Sequence, residues 1–182
     1  MSKSERLLLP FDPAKHPVKI SQGHHGPFSH SAPPRPGLTD LTYAVDFALP
    51  PGTEVYAPQE GEVLMFIDDQ TGRYTGHDPD IGRTTRTSFV LIAHQPDRSV
   101  VSCLSHLAPG SVSSRVRLGQ RVKPGDIIGV TAPVGWVPEG HDHVHHHLSV
   151  RQGDIYVSRP ARFEGYSGTL EDKKLFPDRH RR

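Results

Sequence analysis

A single cysteine, Cys103, leaves this 182-residue chain without any internal disulfide framework. Within Val100-Val101-Ser102-Cys103-Leu104 it reads as a buried, inert thiol. Excess charge is also missing. With 21 Lys+Arg against 20 Asp+Glu the net charge is +1, which excludes the strong basic field that a nucleic-acid partner needs. Long apolar runs are missing too. Leu7-Leu8-Leu9 is too short for the core of a secretory signal, and no stretch approaches the ~20 apolar residues of a membrane span. As written, the chain is expected to be cytoplasmic, with no export address, and monomeric. No helical period is sustained anywhere. The length suits one domain with a sizeable core.

What is present is punctuation. Eighteen prolines and seventeen glycines separate short apolar runs. Strands are expected at Val18–Ile20, Tyr43–Leu49, Glu54–Ala57, Gly61–Ile67, Ser88–His94, Val100–Leu107, Arg121–Val122, Ile127–Val130, Val144–Val150 and Asp154–Val157. Such a pattern reads as all-β, a sandwich or barrel. Tyr43, Val45, Phe47 and Leu49 alternate with smaller residues, so Asp46 stands on the face opposite the bulky apolar set. Loops are expected at the proline-rich 31–37, at the polar 68–86, and in a charged tail from Glu171. Domain bounds are read as an N-terminal arm over 1–17, a domain over 18–163 and a tail over 164–182. Pro50–Ala57 leading into Gly61-Glu62-Val63 is nearly repeated by Leu118–Gly129. Turn–strand modules of this kind occur in barrel-sandwich hybrid folds, including lipoyl and biotinyl carriers.

Histidine is the residue in surplus. Five of the thirteen fall within His141–His147. On a strand, His143, His145 and His147 share one face, and Val144, His146, Leu148 and Val150 share the other. The second face suits a core. The first presents imidazoles close enough together to serve one metal ion. A catalytic zinc site wants three protein ligands and an open position. Asp46, a carboxylate in the apolar run Tyr43-Ala44-Val45-Asp46-Phe47, is costly unless paired or metal-bound. His30 precedes the proline-rich loop that leads into that run, with His24 and His25 as competitors.

Four segments, in order, resemble the lysostaphin-like (LytM-type) zinc endopeptidases, cell-wall peptidases built on a duplicated hybrid motif. They are Phe28-Ser29-His30 with Tyr43-Ala44-Val45-Asp46-Phe47; Pro51–Ala57 with Gly61-Glu62-Val63; Leu104-Ser105-His106-Leu107; and His145-His146-His147-Leu148-Ser149-Val150. The resemblance implies an all-β hybrid-motif barrel of antiparallel sheets, with long loops around a metal groove. It implies one Zn2+ per chain held by His30, Asp46 and His147, with His145 and His106 as catalytic imidazoles. The reaction implied is hydrolysis of peptide bonds in peptidoglycan-type peptides by a zinc-activated water.

The chain departs from that pattern at several positions. The family's first histidine lies four residues before the aspartate, where this chain has Thr42. His146 stands in place of leucine, and Leu148-Ser149 in place of Phe-Glu. The family's upstream tyrosine has no counterpart in Gln22–Gly26, and Leu104 replaces another tyrosine. His146 reads as a hydrogen-bonded core histidine, with an extra ligand as the alternative; whether His143, on the face of His145 and His147, joins the site stays open. These departures leave an inactive partner-binding scaffold as the alternative. A carrier domain needs a modifiable lysine at a hairpin tip, and Gly61–Ile67 has none.

Overall fold

A computed structural model describes residues 6–30, 40–78 and 85–166. The proline-rich loop and the charged tail lie outside these, as do residues 79–84 of the long polar loop. Among the described residues every regular element is a strand, twelve in all. They are β1 (Ile20–Gln22), β2 (Val45–Ala48), β3 (Glu54–Tyr56), β4 (Gly61–Ile67), β5 (Arg73–Tyr74), β6 (Phe89–Ala93), β7 (Val100–Ser105), β8 (Arg121–Val122), β9 (Ile127–Val130), β10 (Gly135–Trp136), β11 (His143–Gln152) and β12 (Ile155–Arg159). No helix there is long and apolar enough to cross a membrane.

The main sheet runs β1-β2-β11-β7-β6-β4-β8, with β12 added to the outer part of β11. All its pairs are antiparallel. The sheet is open, because β1 and β8 do not meet, so the expected barrel is not closed. The two near-repeated modules pair with one another. β3 of the first lies antiparallel to β9 of the second, and β4 lies against β8. β5 and β10 form a short parallel pair within the loop region, too brief to leave any alternation in the sequence.

Alternation along the strands divides the sheet into two faces. Val45, Phe47, Val90, Ile92, Leu104, Val144 and His146 are fully buried against the core. The arm joins this core rather than standing apart from it. Leu7, Leu9 and Phe11 are buried, and the rings of Phe11, Phe47 and Phe163 pack in sequence at 5.4 and 5.3 Å. Each such aromatic contributes roughly 1.5–3 kcal/mol by leaving water. The opposite face carries Asp46, Cys103, Ser105, His143, His145 and His147.

Candidate metal centre

Pairing of β2 with β11 sets the register of the site. His145 lies directly across from Asp46, and His143 across from Ala48. On the other flank of β11, His145 faces Ser105 and His147 faces Cys103. His106 follows β7 at once with φ of 63°, a left-handed conformation unusual for a non-glycine residue and found where a site holds it in place. His30 arrives from the loop after β1.

Hydrogen bonds to backbone carbonyls fix the tautomers of three rings, since a carbonyl only accepts. Nδ1–H of His30 donates to Gly23 O (2.8 Å), that of His143 to His141 O (2.6 Å), and that of His106 to Val134 O (2.7 Å). Each neutral ring therefore carries its lone pair on Nε2. His30 Nε2 lies 3.6 Å and His143 Nε2 3.7 Å from Asp46 Oδ1, while His145 Nδ1 approaches that oxygen to 2.7 Å. On its far side His145 Nε2 meets Nδ1 of His147 at 3.1 Å. The rings of His106 and His143 stack edge to face at 4.4 Å.

Burial alone pushes the Asp46 carboxyl up, but His143, His30 and the hydrogen bond from His145 outweigh it and hold it well below the usual range. Asp46 is thus a carboxylate. Burial, aided by His143, pushes His106 down to about 3, so its imidazole is neutral at neutral pH. Burial likewise lowers His145, against the pull of Asp46, and His147, where the neighbouring imidazoles add to the effect.

The residues fit a zinc-type ion. His30, Asp46 and His145 each offer one donor atom, all within 4.8 Å of one another. Neighbouring donors around a tetrahedral zinc sit about 3.3 Å apart. The 2.7 and 3.6 Å separations at Asp46 Oδ1 bracket that spacing. Two neutral imidazoles and one carboxylate are a zinc donor set. Without an ion His145 Nδ1–H donates to Asp46 Oδ1, so a metal bound at Nδ1 would take the place of that proton and leave the N–H on Nε2, which faces His147 Nδ1. Nδ1–H of His30 is already held by Gly23 O.

All five residues singled out in the sequence, His30, Asp46, His106, His145 and His147, are buried on or beside this one face. The arrangement among them differs from the expected one. The second imidazole of the three-donor group belongs to His145, and His147 stands one ring further away, beyond the last residue of β11 that pairs with β2. His143 takes the place beside His106. His24 and His25 do not join the cluster but flank the ring of Tyr43 at 5.4 and 5.1 Å. His146 is a core residue beside Phe163, at 5.5 Å. Gln22 had no signal in the sequence, yet its amide donates to Asp46 Oδ2 (3.0 Å).

Peptidase family M23 matches residues 40–158. No curated protein matches the chain. Among solved structures, the catalytic domain of the prophage-encoded M23 protein EnpA from Enterococcus faecalis, in a point-mutant form, is 20% identical with a TM-score of 0.52, covering 84% of this chain and 93% of that one. The antimicrobial peptidase lysostaphin from Staphylococcus simulans is 18% identical with a TM-score of 0.51 over 87% of this chain, which spans about half (52%) of lysostaphin. These two likenesses concern the fold. The family match covers more than half of the sequence and runs through Asp46, His106 and the whole histidine strand, so the chain belongs to peptidase family M23.

Proposed function

We propose that this chain is a zinc-dependent endopeptidase acting on peptidoglycan-type peptides, with His30, Asp46 and His145 as metal ligands and His143 and His106 as the groups that handle protons. The observation that carries the reading is the convergence of His30 Nε2 and His145 Nδ1 on one carboxylate oxygen, in a buried site. Zinc, when bound, acts as a Lewis acid that polarises a peptide carbonyl and lowers the pKa of water from ~15.7 towards ~7.

The fixed tautomers divide the labour between the two remaining imidazoles. His143 Nε2 accepts the proton of the attacking water. The imidazolium formed lies 3.7 Å from Asp46 Oδ1, which stabilises its charge, and it then gives the proton to the leaving nitrogen. His106 spends its N–H on Val134 O, so in the neutral state its Nε2 accepts a hydrogen bond and orients the water. It cannot donate to an oxyanion without first taking up a proton. The substrate class follows the resemblance of the four segments to cell-wall peptidases and the chain's place in peptidase family M23.

The test is hydrolysis of peptidoglycan peptides by the zinc-loaded chain beside His143→Ala and His106→Ala. General acid–base help is worth roughly 10²–10⁴-fold. Each variant should lose turnover on that scale while keeping its zinc. Full turnover in both would overturn the assignment. Absence of any turnover by the wild type with zinc bound would favour the partner-binding scaffold.

A further inference from the structure

Gln22 is not among the donors proposed above, yet its amide is fully engaged. Nε2 donates to Asp46 Oδ2 (3.0 Å) and to Ser29 Oγ (2.9 Å). Oε1 accepts the backbone N–H groups of Phe28 (2.9 Å) and Ser29 (3.1 Å). A glutamine amide has two N–H donors and two oxygen lone pairs, and here all four are used. The orientation is therefore unambiguous. A flipped amide would set N–H groups against N–H groups and its oxygen against a carboxylate.

These bonds join two parts of the site that arrive from different elements. Asp46 sits on β2, and Phe28-Ser29 immediately precede His30 in the loop after β1. The two carboxylate oxygens of Asp46 have separate partners. Oδ1 faces His30, His143 and His145, whereas Oδ2 is held by Gln22. One glycine makes room for this. A Cβ placed on Gly26 would meet Gln22 Cγ at 2.2 Å, Cδ at 2.9 Å and Oε1 at 3.0 Å, and these are its three nearest neighbours. Gly26 does not have a positive φ, so alanine is excluded there by Gln22 and not by the backbone.

The geometry points to Gln22 as a positioning residue of the metal centre, with Gly26 as the space it requires. Gln22 keeps Asp46 Oδ2 occupied so that Oδ1 alone is presented to the ion, and it locks the loop that delivers His30. This inference rests on the metal ligand set proposed above. Gln22 touches neither substrate nor metal, and it acts through Asp46 and His30.

The experiment is a set of zinc affinities measured by chelator competition on the folded chain, for wild type, Gln22→Met, Gln22→Ala, Gly26→Ala and the double variant Gln22→Ala/Gly26→Ala. Loss of an outer hydrogen-bond partner typically costs a metal site 10–100-fold in affinity. Gln22→Met, which keeps the volume, and Gly26→Ala should each show that loss. The double variant should bind zinc no more weakly than Gln22→Ala, because the Cγ that Gly26→Ala would strike is gone. Cobalt-loaded Gln22→Met should absorb more weakly in the visible than cobalt-loaded wild type, since a released Oδ2 adds a donor and moves the ion away from four-coordination. Unchanged zinc affinity in Gln22→Met and Gly26→Ala, with only a lower melting temperature of the metal-free chain, would mean a purely structural residue and overturn the inference. Additive losses in the double variant would overturn the role of Gly26. If the wild type takes up no zinc, the ligand set itself falls and this inference with it; if wild type binds zinc and the Gln22 variants match it, only this inference falls.

Discussion

Replacing His146 by leucine should make the metal-free protein less sensitive to acid, by an amount the structure sets. His146 is fully buried on the core face of β11, with no hydrogen-bond partner for Nδ1 among the described residues and Nε2 3.3 Å from Ser102 Oγ. Burial, with His145 and His94 nearby, pushes it down to about 3 from its ordinary 6.5. Between these values the unfolded chain binds a proton that the folded chain refuses, so stability falls as pH drops. The loss is about 1 kcal/mol at pH 5.5 and about 3 kcal/mol at pH 4.5, while nothing is lost above pH 7.5. Leucine has no such linkage. At pH 7.5 the exchange leaves a net gain of about 1 kcal/mol. Removing an unpaired buried nitrogen gains ~1–3 kcal/mol, and losing one long hydrogen bond costs ~0.5–1.5 kcal/mol. Ser102 Oγ keeps its other partner, His94 Nε2, at 2.7 Å. Urea denaturation of both metal-free proteins at pH 7.5 and 5.5 measures the difference. His146→Leu should gain about 1 kcal/mol on wild type between the two pH values. An identical difference at both would refute the account of His146 as a neutral core residue.

Two other predictions follow from packing. Cys103 is buried and its thiol is pushed up to about 11, so it should resist alkylation by iodoacetamide in the native chain and react on unfolding, as mass spectrometry would show. Gly61→Ala should destabilise by about 1–3 kcal/mol in thermal or urea denaturation, because its Cβ would strike Ala93 O and Ile92 Cγ2 of the neighbouring antiparallel strand β6.

Local alternation made the strands legible. β4 has the expected bounds, and Asp46 and His146 stand on the faces that the periodicity gave them. The strands β5 and β10 were not legible, since two residues carry no period. The face bearing His143, His145 and His147 was equally readable, but which of the three meets Asp46 was not. That choice belongs to the register between β11 and β2, which are separated by nearly a hundred residues of chain, and spacing within β11 says nothing about it. A two-residue slip would keep every side chain on its face and exchange the neighbours of Asp46. Gln22 escaped notice for a similar reason. A glutamine at the end of a short strand becomes part of a site only when a carboxylate distant in sequence is brought against it.

Zinc content of the purified chain, set beside His145→Ala and His147→Ala, tests the central claim most directly. His145 Nδ1 lies 2.7 Å from Asp46 Oδ1, and His147 Nδ1 meets the far nitrogen of the His145 ring at 3.1 Å. About one zinc per chain is expected in the wild type, lost in His145→Ala and retained in His147→Ala. Zinc kept by His145→Ala and lost by His147→Ala would contradict this ligand set, and a wild type that holds no zinc when zinc is offered would contradict the metal centre altogether.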